Sequence, residues 1–137
     1  MLTSTVIAEM NHKTMCWREA GDCTVKAIAI ALDICYAESW YATRKCGRGY
    51  RKGMCLSEIL ATIHSKGKDT VALDFKGSAV QFMQYYPTGS YLIEIKNHIM
   101  AYKDGVLHDD ATHWKGEIYS IHHILEPMKE LDFETKG

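Results

Sequence analysis

The chain has 137 residues and a formal net charge of −1, with 47% apolar and 24% charged residues. That suits one globular domain and gives no global attraction to nucleic acid or to an anionic membrane. No apolar run approaches the roughly 18–20 residues of a membrane span. The N-terminus "MLTSTVIAEMNHK" has neither the basic start nor the apolar stretch of a signal peptide. Five irregularly spaced cysteines cannot all pair within one chain, so reduced thiols and a cytoplasmic setting are expected. Only two prolines occur, and nothing marks a linker. A single domain over 1–137 is expected, with its core at about 20–125 and a polar tail over 128–137.

Residues 3–8 read as a short edge strand and 9–21 as irregular. Asp22 is a good N-cap residue type, which puts Cys23 at the first position of a helix running to about Leu32. That helix is apolar on nearly every side, so other elements must enclose it. A second helix is predicted over 36–45, with Tyr36 and Trp40 on one face and Gly47 beyond its end. After the loop "GRGYRKG", Leu56, Ile59, Leu60 and Ile63 recur at i, i+3, i+4 and i+7, a helical stripe.

The period then changes. "TVALDF" (70–75) reads as a strand, and "SAVQFMQYY" as a short helix capped by Ser78 and stopped by Pro87. The segments 90–96, 98–103, 106–111 and 117–124 read as strands separated by Gly, Asp or Asn. Helices first and antiparallel strands second is an α+β pattern.

Cys23 has two readings. It is a packing residue, as most buried cysteines are, or a nucleophile whose thiol is acidified by the helix N-terminus. The segment "NHIMAYKDGVLHDD" bears on the choice. Asp104-Gly105 between apolar strands signals a two-residue hairpin loop. Lys103 then pairs with Val106, Tyr102 with Leu107, Ala101 with His108 and Met100 with Asp109. By alternation, His98, Met100 and Tyr102 share a face with Leu107, Asp109 and Ala111, while His108 and Asp110 face the other way. Asp109 becomes the diagonal neighbour of His98, as a carboxylate that orients a general base would be. The plainer reading is an ordinary hairpin with solvent-facing polar residues.

"GDCTVKAIAIAL", "YAESWY" and "GSYLIEIKNHIMAYKDGVLHDD" resemble segments of a group of small phage and bacterial proteins. These carry a GDC-x-x-[RK]-A helix and a later H-x-x-A-x-x-D-G-x-x-x-D hairpin. They are similar to the papain-like cysteine peptidase superfamily, particularly its compact form in peptidases that trim bacteriocin leaders. The resemblance covers about residues 20–111. It implies a papain-like fold, with the Cys-bearing helix buried against a C-terminal antiparallel sheet. It implies Cys23 as nucleophile, His98 as general base and Asp109 as the orienting acid. It also implies a protein or peptide substrate, a host protein for a phage-encoded chain, and the host cytoplasm as its setting.

The chain departs from the family where a Gln usually precedes the Cys by five or six residues as an oxyanion donor. Here Trp17 and Arg18 stand, and no Gln lies upstream of Cys23. Trp17, Arg18 and Asn11 are the remaining candidates beside the Cys23 N–H. The expected activity is cysteine-dependent amide hydrolysis, or a related acyl transfer such as deamidation. The alternative is a catalytically weak scaffold that binds and inhibits a partner protein.

Other features carry plainer expectations. The basic loop 44–53 is expected to be a solvated rim of the cleft, not a nucleic-acid site. "HDDATHW" (108–114) has metal-ligand residue types without zinc spacing, so no metal and no cofactor are expected. His122 and His123 must face opposite sides of a strand. Cys35 and Cys55 are expected in the core, and Trp17, Trp40 and Trp114 in the core or the cleft wall.

Overall fold

The computed structural model describes residues 22–96, 98–108 and 116–126. The expected strand at 3–8, the irregular stretch 9–21, the tail 128–137 and the residues Asn11, Trp17, Arg18, Asp109 and Trp114 lie outside them.

Among the described residues three helices come first: α1 (Cys23–Leu32), α2 (Tyr36–Lys45) and α3 (Leu56–Ser65). Then follow β1 (Asp69–Leu73), α4 (Ala79–Tyr85), β2 (Ser90–Ile95), β3 (His98–Lys103), β4 (Val106–His108) and β5 (Ser120–Leu125). The strands form one antiparallel sheet in the order β1-β5-β2-β3-β4. The architecture is α+β, with N-terminal helices packed against a C-terminal five-stranded sheet.

Alternation along the strands gives the sheet two apolar faces. Leu92, Ala101 and Ile124 pack with α1 and with Ile59 and Ile63 of α3. Tyr91, Ile93, Met100, Tyr102, Leu107 and Ile121 pack with Phe82 of α4 on the other face. Rings dominate this second core. Phe82 stacks on Tyr86 at 4.4 Å, and Tyr91 lies edge-on to Phe82 at 5.1 Å. The buried phenols reach main-chain carbonyls, Tyr102 donating to Tyr86 at 2.6 Å and Tyr91 to Thr88 at 2.7 Å.

α1 is enclosed as its composition requires, with all its residues but Cys23 and Lys26 buried. Side-chain hydroxyls bond its carbonyls: Ser39 of α2 donates to Val25 O at 2.7 Å, and Ser90 of β2 to Ala31 O at 2.8 Å. Ser90 pairs with Lys103, the last residue of β3. The C-terminal end of α1 therefore sits by the end of β3.

Several boundaries and roles differ from expectation. β1 spans Asp69–Leu73 rather than 70–75. β5 starts at Ser120, while Glu117 forms an isolated bridge to Ser78. Ser78 does cap α4, accepting from Gln81 N at 3.3 Å, and Gln81 Oε1 accepts from Ser78 N at 2.8 Å. Asp22 occupies the N-cap position of α1, but its carboxylate makes no cap hydrogen bond. It accepts from Tyr36 Oη at 2.8 Å and lies 3.6 Å from Lys26 Nζ. A buried phenol needs an acceptor, and Asp22 supplies it.

Cys35 and Cys55 are not core residues but exposed N-caps of α2 and α3. Each stands just before an apolar-striped helix, where the chain must still be outside it. Cys35 Sγ accepts from Glu38 N at 3.4 Å.

Ala101 is fully buried in the core that α1 shares with the sheet. Ala101→Leu should overpack that contact and lower unfolding free energy by about 1–3 kcal/mol. Urea denaturation followed by circular dichroism checks this, and unchanged stability would mean that α1 packs loosely on β3.

Candidate functional site

The hairpin register is the expected one. Lys103 pairs with Val106, Tyr102 with Leu107 and Ala101 with His108. Asp104 and Gly105 form the turn, both at positive φ, 47° and 86°, as a type I′ turn requires. Asp104 is further fixed by Gly89, whose N–H donates to its Oδ1 at 3.1 Å. The pairing of Met100 with Asp109 lies outside the described residues.

The N-terminus of α1 meets the start of β3, and there Cys23 and His98 come together. Burial pushes the Cys23 thiol up. A hydrogen bond with the His98 imidazole, the Ile99 main-chain N–H, the nearby His98 charge and the Thr24 hydroxyl all pull it down. The pull wins, and the thiol lies below its ordinary value. These groups converge because β3 begins at His98. His98 pairs with Ile95 at the last rung of the β2–β3 ladder, so it lies at the end of the sheet.

Asp22 would oppose a thiolate if its charge stood over Cys23. Its carboxylate is instead engaged by Tyr36 and Lys26. That arrangement also leaves the first-turn N–H groups of α1 uncapped by Asp22.

Three other described histidines, His108, His122 and His123, lie elsewhere in the sheet register. His108, across from Ala101, faces α1, and burial and then the Lys103 charge hold its imidazole below the ordinary value. His122 pairs with Leu92 and His123 with Tyr91, so they do take opposite faces. His123 stacks on the Tyr91 ring at 4.4 Å, and burial lowers its pKa. Among the described residues, no three His, Cys, Asp or Glu side chains gather as a metal would need. No helix among them is long and apolar enough to cross a membrane.

Sequence reading missed the role of Tyr36 and the reach of Ile99. The spacing of Tyr36 signalled burial, and nothing local signalled a phenol directed at a carboxylate 14 residues upstream. Trp40 packs against the α1 core as expected. Within the basic loop, Arg48 is buried at 2% exposure, which corrects the reading of the whole segment as solvated.

No family model, curated protein or solved structure matches the chain.

A lowered thiol pKa has a direct chemical readout. Iodoacetamide at pH 6 should modify Cys23 ahead of the other four cysteines. His98→Ala should slow that labelling, since a thiol whose pKa rises holds less thiolate at a pH below both values. The thiol's contribution to stability has the matching sign. It is complete above the free value of roughly 8.5 and fades as pH falls through the folded-state value. Equal labelling of all five thiols, followed by peptide mass spectrometry, would leave Cys23 a packing residue.

Proposed function

We propose that the chain is a cysteine-dependent amide hydrolase, a peptidase or a related acyl transferase such as a deamidase, built on a papain-like plan. The observation that supports this is the acidified Cys23 thiol, hydrogen-bonded to His98 at the N-terminus of a buried helix. In the proposed reaction, the Cys23 thiolate attacks the carbonyl carbon of an amide, and the carbonyl electrons move onto oxygen. The Cys23 N–H at the α1 terminus is the nearest donor for that oxyanion. When the tetrahedral species collapses, the C–N bond breaks and His98 gives its proton to the leaving amine. A thioester remains on Cys23. Water, losing a proton to His98, then attacks the thioester; the C–S bond breaks and the acid is released.

Asp109 is proposed as the residue that orients His98. If the hairpin register continues one pair past Ala101–His108, Asp109 would stand opposite Met100 and diagonal to His98. Asn11, Trp17 and Arg18 stay candidates for the second oxyanion donor. The substrate is proposed to be a protein or peptide, and the setting the cytoplasm.

One sequence feature favours the second reading, a papain-like scaffold that binds and inhibits a partner. The chain's glutamines, Gln81 and Gln84, both follow Cys23. Loss of one oxyanion donor can cost roughly 10²–10³ in rate.

A p-nitrophenyl ester tests the choice without knowledge of the substrate. The hydrolase should release a burst of p-nitrophenolate and carry the acyl group on Cys23, seen as a mass adduct. Cys23→Ala should abolish both. Asp109→Asn should leave the fold intact and lower turnover by up to about 10⁴-fold. A burst that survives Cys23→Ala, or no adduct at all, would favour the inhibitor scaffold.

A further inference from the structure

Between Glu38 and Glu58 the sequence contains no acidic residue and five cations: Arg44, Lys45, Arg48, Arg51 and Lys52. The two flanking acids are occupied. Glu38 pairs with Lys66 at 2.7 Å, and Glu58 accepts from the Cys55 N–H at 3.0 Å. Glu58 keeps its charge and its carboxylate lies beside Gly47, so one acid offsets five cations, and the segment stays net positive in a chain whose total is −1.

This segment is built rather than slack. Arg48 is buried at its centre, and the Arg48 N–H donates to Thr43 O at 3.0 Å. Main-chain turns hold it on either side, with Gly47 N donating to Arg44 O and Lys52 N to Gly49 O, each at 3.2 Å. Arg44 lies over the Trp40 ring at 5.1 Å. On this frame the side chains of Arg44, Lys45, Arg51 and Lys52 are all exposed.

The frame is also placed near the site. The first turn of α2 grips the first turns of α1, through Tyr36 on Asp22 and Ser39 on Val25. From Tyr36 to Lys45 α2 rises about 14 Å. With roughly 8–10 Å more between packed helices, the basic loop begins on the order of 15–20 Å from the turn that carries Cys23, a span of about five or six extended residues.

We infer that the ordered basic loop between α2 and α3 docks an acidic stretch of the polypeptide on which the Cys23–His98 site works. This inference rests on the hydrolase reading. A short acidic segment matches a patch whose field is confined: salt screens it beyond a Debye length of about 8–10 Å, and the rest of the chain is net negative. A long phosphate backbone would run off the patch onto that acidic remainder. Rim charges of this kind govern encounter and selection of a partner.

The test uses the full chain carrying Cys23→Ala, so that nothing bound is processed. Fluorescence anisotropy is measured with a labelled Glu-rich dodecapeptide, its Gln counterpart, and a single-stranded oligonucleotide of equal charge. The Glu peptide should bind and the Gln peptide should not. Binding should weaken about tenfold or more in Lys45→Glu/Lys52→Glu, and less in Lys45→Gln/Lys52→Gln. It should also weaken as salt rises from about 50 to 300 mM. Equal binding by the charge-reversed protein, or tighter binding of the oligonucleotide, would overturn the inference. Cys23 alkylation, measured in the chain that keeps Cys23, separates the two ideas. Normal alkylation together with no binding of the Glu peptide when Lys45 and Lys52 are intact removes the docking surface and spares the hydrolase.

Discussion

Everything around the site depends on one constraint: a ten-residue helix with almost no polar face must be walled in. Burial of α1 is worth on the order of 1.5–3 kcal/mol for each large apolar side chain, so its position is set by the core and not by its caps. The sheet supplies one wall through Leu92 and Ala101, and α2 and α3 supply others. Ser39 and Ser90 then fix how far the helix slides, because each bonds a particular carbonyl. Once the C-terminal end is held beside Ser90, the N-terminal end has one place to go, the start of β3. Cys23 meets His98 as a by-product of that packing.

Asp22 shows how packing and electrostatics trade at the same terminus. As a cap it would have satisfied a helix N–H and left a negative charge beside the thiol. Burying Tyr36 demanded an acceptor, and a buried phenol without one costs about 1–3 kcal/mol. The carboxylate turns to the phenol and to Lys26, and the helix start keeps its positive character. The thiol is lowered although burial works against it.

The sequence was most legible where local rules and tertiary packing agree. The stripe Ile59–Ile63, the Ser78–Gln81 box and the Asp104-Gly105 turn each name their structure through one short-range mechanism. The hairpin count alone pairs Tyr102 with Leu107, as the sheet does. It was less legible where a residue type serves two ends. Cysteine is both a small apolar residue and a tolerable N-cap, so Cys35 and Cys55 read as core. Arg48 read as solvated because its charge is local knowledge, while its burial depends on how α2 and α3 converge. The contact of Cys23 with His98 joins residues 75 positions apart, and only the order of the motifs hinted at it.

The turn at Asp104-Gly105 has a consequence for which sequences this fold can accept. Strand alternation has a period of two, so one residue inserted into that turn and not absorbed there would shift β4 by a single step. Leu107 would leave the aromatic core for the α1 face, and His108 would exchange sides with it. Substitutions at the turn are graded in cost, whereas an added residue must either be absorbed in a three-residue bulged loop or shift every residue beyond it. The hairpin therefore acts as a reading frame for the sheet's edge, with two adjacent residues keeping every side chain beyond them in phase.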